Sequence, residues 1–141
     1  MSEPIPALPC WLDGEISNVR EAKVSVLDRG FIFGDGVYEV VPAYEGRPFR
    51  FEEHMARLDR SLGEMRIANP MDRAAWRGLV DQLIAAYAAY AGKPADQTNQ
   101  LVYLQVTRGA EFGRNLGRSV RDHPMPVALM KRLTTDVVRP R

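Results

Sequence analysis

The sequence predicts an α+β domain, a mostly antiparallel sheet with two helices packed on one face. Three observations predict it. Apolar residues alternate with period two around residues 37–44 and 100–108. They recur at intervals of three and four over 51–65 and 72–87. The strands flank the helical pair without strand–helix–strand alternation. From Trp11 to Val41 the segments are short and broken by turn residues, which reads as β structure, with Asp13-Gly14 as a hairpin turn. Val37 to Tyr44 reads as a strand with Tyr38 and Val40 on one face and Val37, Glu39 and Val41 on the other. Glu45-Gly46 turns the chain into a short edge strand around Pro48 and Phe49. Phe51, Met55, Leu58, Leu62 and Met65 form the buried stripe of a helix. Its first turn carries Glu52 and Glu53 and its last turn Arg66, the order that suits the helix dipole. A second helix starts at the capping residue Asp72, turns Trp76, Leu79, Val80, Leu83, Ile84 and Tyr87 to the core, and stops at Gly92 and Pro94. A strand from Gln100 to Arg108 has Val102, Leu104 and Val106 on its apolar face, and a last strand runs from Pro126 towards Leu133. Between these two lies GAEFGRNLGRSVRDHP, residues 109–124, long for a purely structural connection and therefore a candidate functional loop.

With 141 residues, 45% of them hydrophobic and 26% charged, the chain is long enough to bury one core, and one domain is the reading. The formal net charge of +1 supplies no global field for nucleic acid or an anionic membrane, so whatever the arginines do is local. The single cysteine, Cys10, excludes an intramolecular disulfide and a cysteine-built zinc site, reads as a buried inert thiol, and fits a reducing compartment. MSEPIPALP has neither the basic run nor the apolar stretch of a signal peptide, and no run of about 18 apolar residues occurs. A cytoplasmic protein with no membrane, nucleic-acid or metal partner is the expectation.

Three groups of residues could carry chemistry. His54, Arg57 and Ser61 are three and four apart and share a helix face beside the apolar stripe. Arg57 offers a planar, permanently charged fork for a phosphate or carboxylate; the alternative is a solvated ion pair with Asp59 or Glu53. Gly34-Asp35-Gly36 lacks the third glycine of a dinucleotide-binding loop and leads into a strand rather than a helix. It reads instead as a tight turn that presents Tyr38 from a strand start into a pocket, with a core tyrosine as the alternative. Arg108, Arg114, Arg118 and Arg121, with His123, make the densest positive patch. With one interleaved aromatic, Phe112, and near-neutral net charge, a nucleic-acid interface is disfavoured, which leaves a solvated face or a carboxylate clamp.

DRGFIFGDGVYEV at residues 28–40, EEHMARL at 52–58 and YLQVTRG at 103–109 are collinear. Together they make the chain resemble the N-terminal domain of a class IV, fold type IV, pyridoxal phosphate-dependent aminotransferase, most like the D-amino-acid aminotransferases. The resemblance covers nearly the whole chain. It implies that Arg57 holds the cofactor phosphate and that Tyr38 helps to receive the substrate carboxylate. It also implies a homodimer in which an R-x-H pair after TRG reaches the partner's site. Arg114 lies near the expected distance but is followed by Asn115 and Leu116, whereas Arg121-Asp122-His123 keeps the form at longer spacing. Arg121 and His123 are preferred, with Arg114 as the alternative. The implied reaction moves an amino group between an amino acid, such as D-alanine, and a 2-oxo acid. Branched-chain aminotransferase and aminodeoxychorismate lyase activities on the same fold are the alternatives. A noncatalytic anion-binding or association domain is the rival from another class. The family's catalytic lysine belongs to a second domain, and none of Lys23, Lys93 and Lys131 stands at a matching position. The expectation is the small domain of a longer enzyme, inactive alone.

Overall fold

The computed structural model describes residues 4–110 and, as backbone, the strand 125–132. Six strands, β1 (Pro9–Leu12), β2 (Glu15–Asn18), β3 (Gly36–Tyr44), β4 (Arg47–Pro48), β5 (Gln100–Thr107) and β6 (Met125–Arg132), form one sheet in the order β2-β1-β6-β5-β3-β4. Every pairing is antiparallel. The β1–β2 hairpin turns at Asp13 and Gly14, both at positive φ, the backbone twist that a tight hairpin needs. In the long β3–β5 ladder, Glu39 lies opposite Leu104, Val41 opposite Val102, and Tyr38 opposite Gln105. Side chains alternate between faces, so Glu39, Val41 and Ala43 join Val102, Leu104 and Val106 on one side, all buried.

That side is covered by α2 (Phe51–Met65) and α3 (Arg73–Ala91), so the expected α+β architecture is the observed one. Phe51, Met55, Leu58 and Leu62 of α2 and Trp76, Leu79, Val80, Leu83, Ile84 and Tyr87 of α3 close the core against β3 and β5. Asp72 caps α3 by accepting from the Ala75 amide at 2.8 Å, and Gly92 ends it in the left-handed conformation. Cys10 is fully buried, and burial pushes its thiol above the usual range. No helix of the described residues is long and apolar enough to cross a membrane.

Three details differ from the sequence reading. Met65 is 37% exposed instead of completing the buried stripe, because α2 ends there. Arg66 is the left-handed residue that ends α2, its amide and that of Ile67 closing on Gly63 and Leu62 carbonyls, rather than a residue of the last turn. The segment expected to be wholly β contains a short helix, α1 (Arg29–Phe33). Asp28 caps it and Gly34, at φ 66°, ends it. One turn cannot hold itself together, and α1 forms because it is pressed onto β5. A Cβ at Gly30 would stand 2.3 Å from Thr107 Cγ2 and 2.9 Å from Asp28 Oδ1. Gly30→Ala is therefore expected to cost about 1–3 kcal/mol by overpacking, measured by urea denaturation; an unchanged midpoint would refute this close contact.

Candidate functional site

The helix-facing side of β3 and β5 is apolar except at Gln100, which pairs with Ala43, and at the carboxylate of Glu39. This carboxylate is 5% exposed and lies among valines and leucines because it is held from α2. Arg57 donates from Nε to Oε1 and from Nη2 to Oε2, the latter at 2.9 Å, a two-pronged pairing. His54 Nδ1 lies 2.7 Å from Oε2. Burial pushes Glu39 up, but the hydrogen bonds and charges of Arg57 and His54 outweigh it and hold the carboxyl below the usual range. An ionised carboxylate cannot donate, so His54 carries a proton on Nδ1. The helix spacing of three makes this possible, since it places His54 and Arg57 side by side over one strand residue. Arg57 is thus pinned by Glu39 from below, yet its side chain is 54% exposed. Its Nη1 makes no hydrogen bond among the described residues, so the outer edge of the fork is available to an anion.

On the opposite face Tyr38 is 64% exposed. Its ring stacks on Tyr103 with centroids 5.6 Å apart and planes 13° apart. The Tyr103 hydroxyl donates to Gln105 Oε1 at 3.0 Å, and burial, with Tyr38 nearby, raises its pKa and keeps it a phenol. Arg57 and Tyr38 therefore belong to opposite faces of one strand. Between Gly36 and Val41 the side of β3 away from β5 has no strand partner among the described residues. A single molecule touching both groups would lie across that open edge.

A second polar cluster surrounds the turn before β3. Asp35 Oδ2 accepts from Arg29 Nε at 2.9 Å and from Arg108 Nε at 2.8 Å. Burial works upward on this carboxyl, and the two guanidinium groups more than offset it and hold it low. Nearby, buried Asp28 accepts from the Gly30 amide and from Thr107 Oγ1. Free carboxyls take up protons near about 4. The stability contributed by Glu39 and Asp35 is therefore complete above that value and lost as the pH falls through their depressed folded values. Asp35→Asn is expected to flatten the acid limb of the stability profile, read by denaturation between about pH 7 and about pH 3. A limb as steep as the wild type's would refute it.

The structure brings together Arg57, His54 and Glu39, and it corrects the expected alternatives for Arg57. Its partner is neither Asp59, which accepts from Arg73, nor Glu53, which accepts from Arg50. Arg108, grouped in sequence with the loop cations, is engaged with Asp35 and with helix carbonyls. Arg114, Arg118, Arg121 and His123 lie outside the described residues. Sequence reasoning missed Glu39 and Asp35 as partners. For Glu39 a signal existed, a carboxylate at a position whose period-two neighbours, Val37 and Val41, are apolar.

An antiparallel sheet with two helices packed on one face is the architecture of the small N-terminal domain of the fold IV transaminases. The chain belongs to the amino-transferase class IV family, whose model matches residues 36–140. It is 42% identical over 96 residues to a D-alanine aminotransferase of Listeria innocua, which covers 68% of this chain and 30% of that protein. It is 34% identical over 121 residues to one of Staphylococcus epidermidis, covering 86% and 37%. The chain thus spans well under half the length of these relatives. Among solved structures, a fold IV-transaminase from Curtobacterium pusillum superposes with a TM-score of 0.70 at 27% identity, covering 85% of this chain and 37% of that one. A hypothetical aminotransferase from Mycobacterium tuberculosis, in its PLP-bound form, shares the fold at a TM-score of 0.70 and 24% identity, over 89% and 40%.

Proposed function

We propose that this chain is the small domain of a pyridoxal phosphate-dependent aminotransferase that moves an amino group between a D-amino acid, such as D-alanine, and a 2-oxo acid. The observation that carries the reading is the braced arginine. Arg57 is fixed on its inner edge by buried Glu39 and open on its outer edge, the disposition of a group that holds a phosphate ester rather than a surface ion pair. The donor set fits the cofactor's phosphate, and Nη1 of Arg57 would hold it. When bound, the cofactor supplies the electron sink for bond breaking at the amino-acid α-carbon. This chain's residues bind and orient. Glu39 orients the guanidinium and holds it in place, His54 completes the carboxylate's hydrogen bonds, and Tyr38 offers a hydroxyl for the substrate carboxylate across the β3 edge. Arg121 and His123, or Arg114, would add charge to that carboxylate from a partner copy in a cytoplasmic homodimer. D-Alanine is favoured over branched-chain substrates by the 34% and 42% identity to D-alanine aminotransferases.

The test is a fusion of this chain to the part of the Listeria innocua relative that it does not cover, assayed after cofactor loading. Turnover of D-alanine with 2-oxoglutarate supports the reading. A folded, loaded fusion that turns over L-leucine instead would favour the branched-chain alternative, and release of pyruvate from aminodeoxychorismate the lyase. Loading without any turnover would favour a noncatalytic anion-binding domain.

A further inference from the structure

Arg108 directly follows Thr107, the last residue of β5, one residue before the Gly- and Arg-rich loop begins at Gly109. Its side chain is 21% exposed, and its hydrogen bonds run to two separate elements. Nε donates to Asp35 in the turn that starts the Tyr38 strand. Nη2 donates to the Met65 carbonyl at 2.7 Å and Nη1 to the Arg66 carbonyl at 3.2 Å, at the C-terminal end of the helix that carries Arg57. The backbone closes the same circuit. The Arg108 amide donates to the Asp35 carbonyl at 3.0 Å, the Asp35 amide to the Arg29 carbonyl at 3.2 Å, and the Arg29 amide to the Gly109 carbonyl at 2.8 Å.

The charges account for why this arrangement holds. Two guanidinium groups on one carboxylate leave an excess positive charge, and the last carbonyls of α2 carry the negative end of the helix dipole. Arg108 meets both. A planar fork with donors on three nitrogens can span a carboxylate and two carbonyls at once, whereas an ammonium group, a point charge at the end of a flexible stem, cannot.

We propose that Arg108 is a positioning residue: through Asp35 and the α2 C-terminus it sets the helix bearing Arg57 in fixed register with the strand bearing Tyr38 and with the root of the Arg-rich loop. The registry is a property of this chain by itself. Its consequence for binding rests on the reading of Arg57 as a phosphate ligand.

The experiment is NMR on the isotope-labelled 141-residue chain. Residual dipolar couplings give the orientation of α2 relative to β3 and β5, and the Arg57 Nε–Hε resonance reports its contact with Glu39. Arg108→Lys and Asp35→Asn should each reorient α2 and shift that resonance, and the double variant should go no further than either. Asp72→Ala, which removes the α3 cap at a comparable loss of melting temperature, should change neither. The proposal is overturned if α2 and the Arg57 resonance keep their wild-type values in both variants, or if Asp72→Ala moves them as much. Asp35→Asn preserves volume and both arginines, so it decides the matter should Arg108→Lys fail to fold. Titration of the same samples with inorganic phosphate separates the two readings. A wild-type Arg57 resonance indifferent to phosphate would count against the functional reading of Arg57 and leave the orientation result standing.

Discussion

Exchanging Glu39 for glutamine is expected to lower the stability of the domain by about 2 kcal/mol at neutral pH and to weaken binding of a phosphate ester at Arg57 by about tenfold. The amide keeps the volume but not the charge. It must also turn an N–H2 towards either Arg57 or His54, both of which donate to Glu39, so a buried donor faces a donor. Acid supplies the control. As the pH falls through the depressed folded pKa of Glu39, the wild-type carboxyl takes up a proton and loses the advantage that the variant never had. The two stability curves should therefore converge. Denaturation across pH, with a pyridoxal phosphate titration at neutral pH, checks both parts. Parallel curves would place the stabilisation elsewhere.

The larger effect on binding belongs to Arg57 itself. Arg57→Lys is expected to reduce affinity for a phosphate ester by about tenfold to a hundredfold, the worth of charged hydrogen bonds lost from a fork. Retaining the positive charge should not rescue it, because a lysine cannot bridge both oxygens of Glu39 and still present an N–H outward. Stability should fall as well, because the Glu39 carboxylate is only 5% exposed and loses part of the pairing that holds it on the apolar side of the sheet. Calorimetric titration of the variant measures this, and a lysine variant that binds as well as the wild type would remove Arg57 from the site.

The features readable in sequence were those governed by local period. Val37, Glu39 and Val41 against Tyr38 and Val40, the stripe from Phe51 to Leu62, and the capped helix from Asp72 to Gly92 all follow from spacing alone, and the structure keeps them. Arg57 and Tyr38 were singled out by motif, and the structure sets them on one strand and the helix packed against it. The pairing of Arg57 with Glu39 was not readable. It joins residues 18 apart through a tertiary contact, while Glu53 and Asp59 were nearer along the helix and more obvious. The small helix α1 escaped for a related reason. Its five residues include Gly30 and carry no period, and its stability comes from Thr107, far along the chain. Arg108 looked like one more loop cation until the carbonyls of α2 were brought beside it.

The alternation along β3 has a consequence for how such a domain can change over time. Successive residues Tyr38 and Glu39 look out of opposite surfaces of the sheet, and so do their neighbours on β5. Mutations at 38, 103 and 105 alter one surface and leave the brace under Arg57 intact; mutations at 39, 54 and 57 do the reverse. If Arg57 and Tyr38 serve as proposed, substrate preference and cofactor grip can then drift, or be evolved in the laboratory, as nearly separate traits. On the proposed reading, a library confined to Tyr38, Tyr103 and Gln105 is the place to seek new substrates while keeping the brace under Arg57.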